Sequence, residues 1–161
     1  VDGAGFLLNN EMDDFSSKPG VPNAYGLVGN TANAIEPGKR MLSSMSPTII
    51  ENPDGDLFLV IGSPGGSTII TTTAQIIMNV VDFGMGIEDA VEAPRFHHQW
   101  LPDVIQFEEQ SFTLETIQAI ESMGHSVRIR GSIGEANCIQ VQDTFMYGAA
   151  DSRRNSSAVG Y

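Results

Sequence analysis

The pattern of apolar and polar positions changes character near residue 47. From residue 1 to about Arg40, apolar side chains occur without a sustained period, and the turn clusters Lys18–Asn23 and Glu36–Lys39 bound a long excursion. This pattern predicts a loop, and a loop of that length in a compact domain is usually a lid, a binding loop or disorder. From Pro47 onward, short apolar runs separated by turn residues predict regular secondary structure.

The strand predictions begin with a hairpin. Two β-prone runs, Thr48–Ile50 and Leu57–Ile61, flank the turn cluster Asn52–Asp56. Further strands are predicted at 104–107, 127–129, 136–141 and 144–147, and the last two are joined by a tight turn at Gln142–Asp143. The chain therefore contains enough strands for at least one sheet.

Three helices are predicted between the strands. The longest, about 67–83, is expected to be buried, because apolar residues recur at helical spacing at Ile69, Ile70, Ala74, Ile77, Val80 and Val81. A short helix at 87–93 ends before Pro94. An amphipathic helix at 113–123 ends at Gly124. Strands and helices in this arrangement predict a mixed α/β protein, and 161 residues suit a single domain over 1–161.

Charge and composition exclude several functions. Eight basic against twenty acidic residues give a formal net charge of -12, which leaves no basic stripe to neutralise phosphates, so no nucleic-acid partner is expected. The longest apolar runs, such as Ile76–Val81, are far too short to span a bilayer. The single cysteine, Cys138, lies in a strand-like apolar run and is predicted to be buried without a catalytic role.

The strongest local signal for chemistry is Gly62–Ser67, which joins a predicted strand to a predicted helix. Because the adjacent glycines Gly65 and Gly66 lack Cβ atoms, the backbone can turn sharply and present N–H groups at the positive end of the helix to an anionic oxygen. An oxyanion hole is built in this way. The alternative is a turn whose glycines only relieve strain, and the motif alone does not separate the two.

Other polar clusters are less specific. The segment Asn9–Asp14 carries three carboxylates that could hold an ammonium group or a metal, but its spacing does not fit an EF-hand and no histidine lies nearby. Hydroxyls in Leu42–Thr48 could bind a carboxylate or serve turn chemistry. The neighbouring His97 and His98 lack a third ligand, so a structural hydrogen-bonding role is expected. No metal and no cofactor is predicted.

Four ordered motifs, with the end of the chain, carry a family resemblance. The segments Leu7–Phe15, Lys39–Thr48, Gly62–Ser67 and Ala93–Trp100, followed by Tyr147–Arg154, resemble the small catalytic subunit of bacterial γ-glutamyltranspeptidase, also called glutathione hydrolase. The resemblance implies an α+β fold, the four-layer αββα sandwich of N-terminal-nucleophile hydrolases, here incomplete at its N-terminal side. It also implies cleavage of γ-glutamyl amides through a γ-glutamyl-threonine ester that passes to water, an amino acid or a peptide.

The resemblance also implies functional roles for particular residues of this chain. The resemblance assigns Gly65 and Gly66 to the oxyanion hole, Ser43 and Ser44 to the substrate α-carboxylate, Glu11 and Asp14 to its α-ammonium, and Tyr25 to the gating position of a lid loop at 18–40. The resemblance further implies that this lid favours small substrates such as glutathione over poly-γ-glutamate.

The family pattern also implies parts that this chain lacks. The nucleophilic threonine is expected roughly thirty residues before Val1, and a carboxylate-binding arginine belongs to the large subunit of the same precursor, the expected partner. The 161-residue chain alone is therefore expected to have no turnover. The resemblance favours a periplasmic or secreted location. Alternatives are a cephalosporin acylase-like or poly-γ-glutamate-acting member of the superfamily, or a non-catalytic fragment.

Overall fold

The computed structural model describes residues 3–6, 10–40, 43, 45–109 and 112–160. The chain forms two compact units, Val1–Ser44 and Met45–Tyr161. Most of the regular secondary structure lies in the second unit. The expectation of one domain over 1–161 stays a prediction.

The first unit is a long loop that folds back on itself, as the sequence pattern predicts. Its only helical segments among the described residues are two 3-10 turns, Glu11–Asp14 and Thr31–Asn33. The Ser16 N–H donates to the Asn33 carbonyl over 2.8 Å, and Ser16 forms an isolated bridge with Ala34. Nearby, the Lys39 ammonium lies 5.2 Å from the centre of the buried Phe15 ring. These contacts bring the two ends of the loop together.

The second unit contains a four-stranded antiparallel sheet in the order β1-β2-β6-β7, with strands β1 Thr48–Glu51, β2 Leu57–Gly62, β6 Asn137–Gln142 and β7 Phe145–Ala150. The β1–β2 hairpin is confirmed, and the Asn52 side chain fixes its turn by accepting from the N–H groups of Asp54 and Asp56. The β6–β7 turn is confirmed, with Asp143 at φ 54°.

A smaller sheet has the order β3-β4-β5, with strands β3 Phe96–His97, β4 Ile105–Glu108 and β5 Val127–Arg130. Strands β4 and β5 pair in parallel, so they require a crossover, which is provided by helix α3, Leu114–Ser122. The Thr113 hydroxyl caps this helix by accepting from the Thr116 N–H. Strand β3 was not predicted, because two residues are too few to show an alternating pattern.

Helices α1, Ile69–Val81, and α2, Ile87–Glu92, confirm the other helix predictions. They share one apolar core with a face of the larger sheet, where Ile61, Cys138 and Ala149 lie side by side on successive strands. The core consists of Leu59, Ile61, Ile76, Val80, Ile87, Ala90, Val91, Ala136, Cys138 and Ala149.

The prediction that α1 is buried is wrong for part of the helix. Ile70 is 65% exposed and Val81 is 54% exposed, whereas the buried face includes the threonines Thr72 and Thr73. The helix buries a mixed apolar and hydroxyl stripe, and its second apolar stripe faces away from the core. Within the part of the chain that the structure describes, no helix is both long enough and apolar enough to cross a membrane.

Candidate active site

The glycine turn lies between the end of β2 and a 3-10 turn, Gly66–Thr68, that leads into α1. Gly65 has φ 147° and Gly66 has φ 57°, both in the region that favours glycine. A Cβ atom at Gly65 would lie 2.5 Å from the Thr68 hydroxyl oxygen. The two glycines are therefore required by the backbone path itself.

The backbone polar groups of the turn divide into two sets. The carbonyl oxygens are bound: the Ser63 hydroxyl donates to the Pro64 carbonyl over 2.8 Å, and the Thr68 hydroxyl donates to the Gly65 carbonyl over 2.9 Å. Neither the Gly65 N–H nor the Gly66 N–H donates to another described residue. Gly65 is exposed and Gly66 is half-buried. Two adjacent N–H groups are thus available to an anionic oxygen at the start of a helix.

A second loop, 133–136, packs against the glycine turn. The Glu135 N–H donates to the Ser63 hydroxyl over 3.1 Å. A Cβ atom at Gly65 would lie 3.5 Å from the Gly134 Cα. Gly134 itself has φ 71°, and a Cβ atom there would lie 3.0 Å from the Ser63 hydroxyl oxygen. The same Cβ atom would lie 2.6 Å from the Thr72 hydroxyl oxygen on α1, so only a glycine fits at position 134 without displacing a neighbour.

A buried network of charged residues supports the 133–136 loop. Arg95, which is 1% exposed, pairs with the fully buried Asp151 over 2.7 Å. Arg153 pairs with Glu108 over 2.6 Å and with Asp151 over 3.1 Å. Each charge in this network has an oppositely charged partner, as buried charges require.

The network binds the loop at both ends. Arg95 Nη1 donates to the Ile133 carbonyl, and Glu108 Oε1 accepts from the Ile133 N–H over 2.7 Å. Asp151 Oδ2 accepts from the Ala136 N–H over 2.9 Å. The residues on either side of Gly134 and Glu135 are therefore held by charged side chains.

Electrostatics keep both carboxylates of the network ionised. Burial alone would raise the pKa of Asp151, but the Ala136 N–H and the Arg95 guanidinium hold that pKa below its ordinary value. Burial would likewise raise the pKa of Glu108, and hydrogen bonds from Arg153 and the Ile133 N–H hold it below its ordinary value. Burial would lower the pKa of Arg153, but Glu108 raises it.

His97 is hydrogen-bonded and Cys138 is buried, as predicted, while the lack of a catalytic role for either residue stays a prediction. His97 is 1% exposed, with Nδ1 2.8 Å from the Thr71 hydroxyl and Nε2 2.8 Å from Gln99 Oε1. Burial is the main cause that lowers the pKa of His97. Cys138 is buried, and burial raises the pKa of its thiol to about 12. No group of three or more His, Cys, Asp or Glu side chains among the described residues could hold a metal ion.

The remaining predicted site residues lie in the first unit. Glu11 and Asp14 begin and end one 3-10 turn, and both are half-buried. Asp14 Oδ2 is buried and has no hydrogen-bond partner among the described residues. Tyr25 is 58% exposed, and Ser43 is exposed. Ser44 lies outside the described residues.

The sequence did not point to Ser63, Thr68 or the charged network. Arg95 and Asp151 are 56 residues apart in the chain, so no local pattern links them. One usable signal was the isolation of Arg95 between apolar neighbours and Pro94, a setting in which a charge is expected to be buried and paired. Ser63 and Thr68 lie beside the glycines, but serine and threonine near a turn are too common to stand out.

Solved structures give the class of protein. The chain is similar to the Helicobacter pylori γ-glutamyltranspeptidase T380A mutant, with 53% identity, a TM-score of 0.90 and coverage of 96% of this chain and 84% of that chain. It is also similar to γ-glutamyltranspeptidase from Pseudomonas nitroreducens in complex with L-DON, with 48% identity, a TM-score of 0.89 and coverage of 100% and 84%. The expected fold class is confirmed: this is part of an N-terminal-nucleophile hydrolase fold.

The family follows from the sequence comparison. The whole chain, residues 1–161, matches the family described as gamma-glutamyltranspeptidase, and the chain belongs to that family. It is 53% identical to the glutathione hydrolase proenzyme of Escherichia coli strain K12 over 151 residues, which cover 93% of this chain and 26% of the relative. It therefore spans about a quarter of the length of that relative.

Proposed function

We propose that the protein containing this chain is a γ-glutamyltransferase and glutathione hydrolase, in which this chain supplies the oxyanion hole. One observation carries the proposal: two adjacent glycine N–H groups, at the start of a helix, donate to no other described residue. In the transition state of amide cleavage, negative charge develops on the carbonyl oxygen, and fixed N–H donors stabilise it. The relatives named glutathione hydrolase proenzyme supply the substrate class.

The substrate head group is assigned to the first unit. We propose that Asp14, with Glu11, binds the α-ammonium of the γ-glutamyl group, and that Ser43 and Ser44 bind its α-carboxylate. The buried Asp14 Oδ2 without a hydrogen-bond partner supports this role, because buried carboxylate oxygens normally have one. An ammonium group would supply a charge-assisted bond there.

The loop at 18–40 is proposed as a lid over small substrates, with Tyr25 as its covering aromatic. The Asn23 side chain accepts from the N–H groups of Tyr25 and Leu27, at 2.9 and 3.0 Å, and so shapes the loop around Tyr25. An exposed aromatic on a shaped loop is suited to cover a bound ligand.

The partner is proposed to be the large subunit of the same precursor, produced by autoprocessing in a periplasmic or secreted location. An apolar row on the larger sheet supports a partner surface: Ile49 pairs with Val60, and Val60 pairs with Ile139, on the face opposite Ile61. Ile49 is 70% exposed and Ile139 is 42% exposed. Contiguous exposed apolar residues of this kind mark interaction sites.

The test compares two anilides on the full-length protein. γ-Glutamyl-p-nitroanilide carries the α-ammonium, and glutaryl-p-nitroanilide lacks it, so a preference for the first is expected. Asp14→Asn should lower kcat/KM for the γ-glutamyl compound by roughly 10- to 100-fold, as expected for a lost bond to a charged group, and leave the glutaryl rate nearly unchanged. The exposed neighbour Asp13→Asn is the matched control.

A preference for the glutaryl compound would instead favour a cephalosporin acylase-like activity and overturn the assignment. An unchanged rate in the Asp14 variant would remove that residue from the substrate site. Absence of cleavage of either anilide by the processed protein would favour the non-catalytic alternative.

A further inference from the structure

Each of the two glycine N–H groups belongs to a peptide group whose carbonyl comes from the preceding residue. The Gly65 N–H shares a plane with the Pro64 carbonyl, and the Gly66 N–H shares a plane with the Gly65 carbonyl. Because the peptide group is planar and trans, its C=O and N–H point in opposite directions. Holding the carbonyl therefore fixes the direction of the N–H.

Both of these carbonyls are held by hydroxyl groups that are almost fully buried. Ser63, 3% exposed, donates to the Pro64 carbonyl over 2.8 Å, and Thr68, 4% exposed, donates to the Gly65 carbonyl over 2.9 Å. The Thr68 backbone N–H adds a second bond to the Gly65 carbonyl at 3.1 Å. One hydroxyl thus serves each peptide group of the proposed oxyanion hole.

We propose that Ser63 and Thr68 are positioning residues that orient the Gly65 and Gly66 amides toward the developing oxyanion. The proposal rests on the proposed function of the glycine turn. Neither residue touches the substrate in this role, because each acts through a carbonyl on the far side of a peptide plane.

The need for such residues follows from the glycines themselves. Without Cβ atoms, Gly65 and Gly66 can rotate through a wider range of φ and ψ than other residues, so the peptide planes between them are weakly restrained by sterics alone. An oxyanion hole contributes to rate only if its donors are already aimed before charge develops. A hydrogen bond to the carbonyl also polarises the amide and strengthens its N–H as a donor.

Ser63 is itself held in place by the second loop. Its hydroxyl oxygen accepts from the Glu135 N–H over 3.1 Å while its hydrogen points to the Pro64 carbonyl. The hydroxyl therefore has one defined orientation, and the buried Arg95–Asp151 pair fixes the loop that supplies the donor. Thr68 is fixed by the start of α1.

A purely structural role makes a different prediction. Serine and threonine hydroxyls often bond nearby carbonyls and only stabilise a turn. Loss of such a bond would lower stability, but it would not distinguish between substrates that differ only in the atom that becomes the anion. A thioamide substrate, in which sulfur replaces the reacting carbonyl oxygen, separates the two roles. Sulfur is a weaker hydrogen-bond acceptor, so the rate of thioamide cleavage depends less on the direction of the N–H donors.

The experiment uses the processed full-length protein and two substrates, γ-glutamyl-p-nitroanilide and its γ-thioamide analogue. Thr68→Val removes the hydroxyl and keeps the side-chain shape, Thr68→Ser keeps the hydroxyl, and Ser63→Ala removes the second hydroxyl. Thr73→Val is the matched control, because Thr73 is equally buried on α1 and its hydroxyl has no hydrogen-bond partner among the described residues.

The expected result is a loss confined to the chemical step. Thr68→Val and Ser63→Ala should each lower kcat for the amide by about tenfold or more, below the 100- to 1,000-fold typical of losing a donor outright, with KM nearly unchanged. The thioamide should lose much less. Thr68→Ser should stay within about threefold of the original rate, and Thr73→Val within about twofold.

Two results would overturn the proposal. In an active protein, equal losses for amide and thioamide, or unchanged kcat in both hydroxyl-deletion variants, would refute positioning while leaving the proposed function intact. An unaltered protein that cleaves no γ-glutamyl amide would refute the proposed function itself, and this inference with it. If Thr68→Val does not fold, Thr68→Cys gives the same test, since its weak S–H donor should produce the same selective loss.

Discussion

Replacing Asp151 by Asn tests the buried network that supports the glycine turn. The substitution keeps the size of the side chain but removes its negative charge. Asp151 is fully buried, and its two carboxylate oxygens accept four hydrogen bonds. Oδ2 accepts from Arg95 over 2.7 Å and from the Ala136 N–H over 2.9 Å, and Oδ1 accepts from the N–H and the guanidinium of Arg153, each over 3.1 Å.

The expected loss of stability follows from the number of hydrogen bonds that Asp151 accepts. An asparagine retains one of the two oxygens, so two of the four donors would face an NH2 group instead of an acceptor. Each lost bond to a charged group costs about 1.5–3 kcal/mol, which gives about 3–6 kcal/mol for two. Breaking a buried ion pair by removing one partner costs about 3–5 kcal/mol. Because Arg153 keeps its contact with Glu108, we expect a loss of about 3–5 kcal/mol.

The measurement is the free energy of unfolding from urea titration at pH 7, followed by a tryptophan or circular-dichroism signal. Asp103→Asn is the matched control: it makes the same chemical change in a surface pair with His98, where Asp103 is 82% exposed, and should cost less than about 1 kcal/mol. A loss below about 1 kcal/mol for Asp151→Asn would refute the view that this pair anchors the 133–136 loop.

Three further predictions concern the same region. Gly134→Ala should lower the free energy of unfolding by at least about 1–2 kcal/mol, because φ is 71° there and the new Cβ atom would meet buried hydroxyls. Gly131→Ala is the control and should cost less, since its Cβ atom would meet nothing within 4 Å. Equal costs would contradict the close packing around Gly134. Thr73→Val should leave the free energy of unfolding unchanged or raise it by up to about 1 kcal/mol, because it removes a buried hydroxyl that has no hydrogen-bond partner among the described residues. A marked fall in the melting temperature would count against this prediction. Folding lowers the pKa values of Asp151 and Glu108, so the stability that the two carboxylates contribute is full only above their ordinary values of 3.8 and 4.5, and it is lost as the pH falls through the lowered values. Urea titrations from pH 7 to pH 3 should show this loss, and a flat profile would contradict it.

The regular elements could be predicted because their signals are local. The hairpin around Asn52–Asp56, the turn at Gln142–Asp143 and the start of the helix after Gly65 and Gly66 all depend on residues adjacent in the chain. The glycine turn was recognised for the same reason, since a strand, two glycines and a helical repeat follow one another directly. Such features need no knowledge of the tertiary fold.

Features that depend on long-range packing could not be predicted. Helix α1 carries two apolar stripes, and the sequence does not say which one faces the core. The buried stripe passes through Thr72 and Thr73, beside Gly134, a residue more than sixty positions away. In the same way, the pairing of Arg95 with Asp151 depends on how β7 and the segment before β3 meet. Spacing along the chain carries no information about such contacts.

The need to fix the direction of two glycine N–H groups explains why so many charged and hydroxyl groups surround the glycine turn. Glycines are needed at Gly65 and Gly66 because only they allow the positive φ angles that expose both N–H groups. The same freedom would let those groups turn away, so their direction has to be imposed from outside the turn. Ser63 and Thr68 impose it through the carbonyls, and the Arg95–Asp151 pair holds the loop against which Ser63 rests. In the proposed oxyanion hole, a flexible backbone would thereby obtain the fixed pair of donors that stabilisation of a short-lived anion requires.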